Sequence, residues 1–124
     1  MTDTQVRKAV AELAKRTQDR QLMWRLEKPP SWLQHGTDAL VTICYETSFE
    51  GRFLRLYESS ERGYDENLNP IGWYSTFVLE ITDQERRTLF TFPRVSTLNE
   101  LWEAVQSQTS GAAELVGSLT GSLP

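Results

Sequence analysis

His35 is the only histidine and Cys44 the only cysteine, so any proton-transfer or thiol chemistry would start with them. His35 sits in Trp32-Leu-Gln-His35-Gly, a loop sequence with no second histidine or suitably spaced thiol near it. A zinc site needs three or four ligands of those types, so no metal is expected there. A lone loop histidine reads as exposed or hydrogen-bonded rather than catalytic. Cys44 lies between Ile43 and Tyr45 in an apolar stretch, where cysteine packs as a small hydrophobe. Asp65-Glu66 and Asp83/Glu85 lack the ligand spacing of a calcium loop and read as solvated turn residues. Gly51, Gly63 and Gly72 are isolated, and the glycines from 111 to 121 have no lysine among them, so no phosphate-binding loop is expected. Ser59-Ser60 and Ser96 lack the strand-to-helix context of a nucleophile elbow. The expectation is therefore no catalytic residue, no metal and no cofactor.

The elements that would position these side chains follow from periodicity. Val6, Val10, Leu13 and Thr17 recur at spacings of four, three and four, which predicts an amphipathic helix capped by Thr2 or Thr4. Leu22, Trp24 and Leu26 alternate with polar residues and predict a short strand, ended by Pro29-Pro30. Residues 28–37 read as a loop. Residues 38–47 and 52–58 predict a hairpin around Glu50-Gly51. The polar run 59–71 reads as a long loop. Residues 73–82 and 87–92 predict a second hairpin around Asp83-Gln-Glu-Arg86. Thr97 with Glu100 forms a capping-box pattern ahead of the helical stripe Leu98, Leu101, Trp102 and Val105. Residues 109–124 are rich in Gly and Ser and read as a tail, frayed or partly helical.

This order predicts an α+β domain over residues 1–108. A four- or five-stranded antiparallel meander carries an N-terminal and a C-terminal helix on one face. The sets Leu22/Trp24/Leu26, Val41/Ile43/Tyr45, Leu54/Leu56, Phe77/Leu79/Ile81 and Phe90/Phe92 are assigned to the covered face. The opposite, open face then carries Arg25, Glu46, Arg55, Tyr57, Tyr74 and Glu80. Tyr and Arg are frequent at interface hot spots, so this face is a candidate surface for a protein partner or a second copy. Cross-strand Arg–Glu pairs on a wet face are the plainer account. Arg55, Tyr57 and Tyr74 are expected near one another. A separate candidate pocket, between loops 28–37 and 59–71, would be lined by Trp32, His35, Tyr64 and Trp73.

The totals bound the function classes. The chain has 124 residues, 24% charged and 39% hydrophobic, enough for one domain with a real core. A net charge of −4 gives no basic footprint for nucleic acid. One cysteine cannot form an intramolecular disulfide. The polar start and the absence of a long apolar run predict no membrane span and a cytoplasmic location.

The pattern of Leu13-Ala-Lys15-Arg-Thr17, Leu22-Met-Trp24, a strand meander and Leu98-Asn-Glu-Leu101-Trp102 resembles a loose group of short, uncharacterised bacterial proteins. That resemblance spans roughly residues 5–108 and implies the fold and a bacterial origin, with Trp24 and Leu101-Trp102 as packing residues. It implies no activity. The chain is also similar in size and acidity to the secretion chaperones of bacterial injection systems, but residues 59–71 depart from their pattern of a helix between strands. The function expected is a non-catalytic protein-interaction module that uses the open sheet face to bind a protein partner or a second copy of itself. The alternative is a small-molecule binder or enzyme using the pocket near residues 28–37 and 59–71.

Overall fold

The computed structural model describes residues 1–33 and 40–121. His35 and part of the 28–37 segment therefore lie outside the described residues. The elements are α1 (Asp3–Gln18), β1 (Arg25–Glu27), a 3-10 turn (Ser31–Leu33), β2 (Cys44–Phe49), β3 (Arg52–Tyr64), β4 (Pro70–Thr82), β5 (Thr88–Thr91), α2 (Leu98–Ser110) and α3 (Ala112–Thr120). The five strands form one antiparallel meander in the order β1-β2-β3-β4-β5. The α+β class and the helix-covered sheet are thus as the sequence predicts.

One core joins the helices to the sheet. Val6, Val10 and Ala14 of α1 meet Leu98, Leu101, Trp102 and Val105 of α2 over Tyr45, Leu54, Leu56 and Leu79. Trp102 stacks on Phe77 at 4.8 Å and meets the Tyr45 ring edge-on at 5.4 Å. Trp24 is tied by its polar atom as well: its Nε1 donates to Thr17 Oγ1 at 3.0 Å. Gln108 of α2 closes that corner. Its Oε1 accepts from the Trp24 backbone N–H, and its Nε2 donates to the carbonyls of Thr17 and Leu22. α1 carries a capping box between Thr2 and Gln5, which satisfies two amides at its start.

Several local expectations are corrected. The 59–71 segment is not a long loop: β3 runs to Tyr64, β4 starts at Pro70, and only a short turn separates them. Both faces of that stretch meet water, so its strands show no apolar alternation to read. The 41–43 stretch is not strand. Leu40 bridges Ser60 while Cys44 opposes Tyr57, so four steps on one side face three on the other. That extra residue breaks the alternation, as a bulge does. Val41 joins the opposite face and Ile43 is half-exposed. Leu26 points to solvent, because only Leu22 and Trp24 ahead of β1 reach the core. Phe92 packs on the core, whereas Phe90 is partly exposed and rests edge-on against it. The Thr97–Glu100 capping box does not form: Thr97 has helical backbone angles, and its buried Oγ1 has no partner among the described residues. Residues 112–120 are helical, with Gly111 and Gly121 in the left-handed conformation at either end.

Trp102 touches both helices' core and two sheet rings, so Trp102→Ala is expected to cost about 3–5 kcal/mol in a urea melt. A loss under about 1 kcal/mol would contradict its placement at the centre of the core.

Candidate interaction surface

Outside the helix-covered core the sheet has two parts with different chemistry: the face opposite the helices, and a distal hairpin that carries exposed aromatics on both of its faces. Near the middle of the sheet, register aligns one residue from each strand into a row. Arg25 opposes Glu46, Glu46 opposes Arg55, Arg55 opposes Glu80, and Glu80 opposes Thr91. Charge alternates along this row, so each neighbour attracts the next. The adjacent row, Glu27, Cys44, Tyr57 and Val78, supports a small apolar cluster that also takes in Val41 and Leu33. Five of the six residues expected on this face are therefore brought together. Tyr74 is not: it opposes Glu61, four residues along β4 from Val78, or about 13 Å.

This central part is not open. Arg55 is 0% exposed and Glu80 5%. Arg55 donates from Nε and Nη2 to Glu80 Oε1 at 3.0 and 2.8 Å, from Nη2 to Thr88 Oγ1, and from Nη1 to the Arg86 carbonyl at 2.7 Å. Glu80 Oε2 accepts from Thr91 at 3.2 Å. Arg86 then turns back over the row. Its Nε donates to Glu46 Oε2 at 2.8 Å, and its Nη2 reaches the Lys28 carbonyl at 2.8 Å. Arg86 holds a left-handed backbone, φ 68°, in the β4–β5 turn. A non-glycine residue adopts that conformation at a cost of roughly 1 kcal/mol or more, offset here by its three bonds. Alternation cannot predict such a residue, because it lies in a turn. A signal was present only in Asp83, which accepts from the backbone N–H groups of Glu85 and Arg87 and fixes the turn.

Burial decides the chemistry of the titratable groups here. Burial, then the nearby Glu46 carboxylate, pushes the Cys44 thiol up to about 12. It stays protonated at ordinary pH and is a poor nucleophile. Burial also raises the Tyr57 hydroxyl, with Glu80 adding to the effect. Every polar group of the row is matched by another, so the row fits a clamp better than a ligand site. Among the described residues no three His, Cys, Asp or Glu side chains surround a common point.

The second part is the distal half of the β3–β4 hairpin. Ile71, Trp73, Tyr74 and Tyr64 are all exposed, by 68%, 57%, 49% and 43%. Trp73 opposes Arg62, whose guanidinium lies 5.5 Å from its ring centre. Tyr74 donates its hydroxyl to Glu61 Oε2 at 2.9 Å, a bond that holds its pKa above the ordinary tyrosine value. Arg94 braces the same patch from outside, 3.6 Å from Glu61 Oε1 and donating to Thr76 Oγ1 at 2.9 Å. At the tip, Asp65 accepts from the N–H groups of Asn67 and Asn69, which hold its carboxyl below the usual range. Ile71 packs close over Gly63: an added Cβ there would lie 3.3 Å from Ile71 Cγ1 and would require that side chain to shift.

The structure thus unites Tyr64 and Trp73, expected in a pocket, with Tyr74, expected on the open face. Trp32 is half-exposed on the 3-10 turn, away from them in the chain. A groove of about 420 Å³ does exist, between Leu13 and Arg16 of α1 and Phe49, Leu54, Ile81 and Phe92. Among the described residues, none of its lining comes from 28–33 or 59–71. No helix among the described residues is long and apolar enough to cross a membrane.

The row makes a quantitative prediction. Arg55→Met leaves the Glu80 carboxylate buried without its partner and is expected to cost about 3–5 kcal/mol. Arg55→Met with Glu80→Leu removes both charges and is expected to recover most of that loss. Urea melts of the two variants check this, and a double variant no more stable than the single one would contradict it.

The helix, antiparallel sheet, helix order that the sequence resemblance implies is present, but no family model, curated protein or solved structure matches the chain.

Proposed function

We propose that this chain is a non-catalytic protein-interaction module that docks through the distal half of its β3–β4 hairpin. The observation that carries this reading is the aromatic and aliphatic set Tyr64, Ile71, Trp73 and Tyr74, exposed on a ladder that the body leaves uncovered. Exposed apolar clusters on one hairpin mark contact sites. Tyrosine and tryptophan supply large contact area with few rotors to immobilise. The ladder holds them in fixed positions, and Arg62 and Glu61 orient Trp73 and Tyr74 before any partner arrives. Preorganisation of that kind lowers the entropy cost of association.

The part of the sheet face around Arg55 contributes by holding the hairpin in register rather than by contact. The alternative reading, a small-molecule binder with a pocket beside residues 28–37 and 59–71, has less support. Residues 59–71 are mostly ladder, and Tyr64 and Trp73 stand on an exposed ribbon.

Site-specific photocrosslinking tests the proposal. A photoreactive side chain in place of Trp73 is expected to give a discrete protein adduct in the cell that makes the protein. The same group in place of exposed Lys8 on α1 is expected to give none. No adduct at position 73, or equal labelling from both positions, would contradict the proposal.

A further inference from the structure

We infer that the partner of the distal hairpin is a second copy of this chain, joined by antiparallel pairing of the two β4 edges about a two-fold axis at Tyr74. The inference rests on the interaction reading above and names its partner.

The free edge follows from the hydrogen-bond pattern. Leu79 accepts from Phe92 on the β5 side, so the backbone groups of Leu79 point away from β3. In an antiparallel strand that direction recurs at every second residue. Phe77, Ser75 and Trp73 therefore point the same way. β5 pairs only with Glu80, Ile81 and Thr82, so the ladders among the described residues give the outward groups of Trp73 and Ser75 no partner. Exposed edges are ordinarily guarded by charge. Here Pro70 to Phe77 carries no charged residue. The charge beside it, Arg94 against Thr76, is offset by Glu61 at 3.6 Å.

A two-fold axis makes the contact self-complementary. With Tyr74 on the axis, Trp73 of each copy opposes Ser75 of the other. The four N–H groups and four carbonyls of those residues then supply four inter-chain bonds. Tyr74 faces Tyr74 in a non-hydrogen-bonded pair, where Cα atoms lie about 4.5 Å apart and side chains meet. A large residue opposes a small one on the other face. The product is one continuous sheet made of two five-stranded sheets. It also supports a two-stranded ribbon that is only marginally stable alone in water.

Sedimentation equilibrium tests the inference. Wild-type protein at high micromolar concentration is expected at twice the 14.3 kDa chain mass. Ser75→Pro removes an outward N–H without touching the β3 ladder, which proline at an edge permits. It is expected to weaken the dimer about tenfold or more while the circular dichroism spectrum is kept. Ile71→Asp, a change at an exposed side chain, is the second variant and is expected to dissociate the dimer likewise. A monomeric wild type, or a dimer that survives both variants, overturns the inference. If the wild type is monomeric yet the crosslink at position 73 yields an adduct with a different protein, the interaction reading stands and the self-association does not.

Discussion

The β3–β4 ladder, in one register from Phe53 opposite Thr82 to Gly63 opposite Gly72 and shifted by one residue at its last pair, is the constraint on which the rest of the structure depends. β2 attaches to one edge of it and β5 to the other, both near the same end. The helices cover its one face through Leu54, Leu56 and Leu79. The charged row crosses its other face at Arg55 and Glu80. The proximal half is thus determined from four sides. The distal half is held by its own cross-strand pairs, by Arg94 and by the bridge to Leu40. That asymmetry places the apolar contact residues on the part of the ladder with the fewest internal obligations.

The buried row fixes register more than it adds stability. A slip of one residue in β3 would move Arg55 into the helix-covered core and Leu56 out of it. Arg55 is satisfied only when Glu80, Thr88 and the Arg86 carbonyl converge on it. A buried ion pair gains little over a well-packed apolar pair, yet breaking it is costly. The row therefore penalises wrong registers while contributing modestly to the right one. This register is also what fixes the outward direction of Trp73 and Ser75 several residues away.

The helices, the strand order and the core tryptophans were legible because burial imposes periodicity. Val6 to Thr17 and Leu98 to Val105 face one core, so their spacing shows it. The same logic fails where both faces are wet, as in Ser60 to Tyr64, which falls in the stretch that reads as loop and is strand. It fails again at the irregular step before Cys44, where one extra residue exchanges the faces of Val41 and its neighbours. Alternation correctly grouped Arg25, Glu46, Arg55 and Glu80. It carried no information on whether that face is covered, since the cover comes from Arg86 in a turn and from Leu33 and Val41 outside any strand. Tyr74 was grouped with Arg55 by parity, although parity says nothing about distance along a strand.

Residue-resolved amide hydrogen exchange, measured on dilute and on concentrated protein, tests the central claim most directly. Tyr74 and Thr76 direct their amides to β3, whereas Trp73 and Ser75 direct theirs to the free edge. The account predicts that Tyr74 and Thr76 are protected at both concentrations. It predicts that Trp73 and Ser75 gain protection only in the concentrated sample, as the second copy occupies the edge. Rapid exchange at Trp73 and Ser75 that does not change with concentration would contradict it.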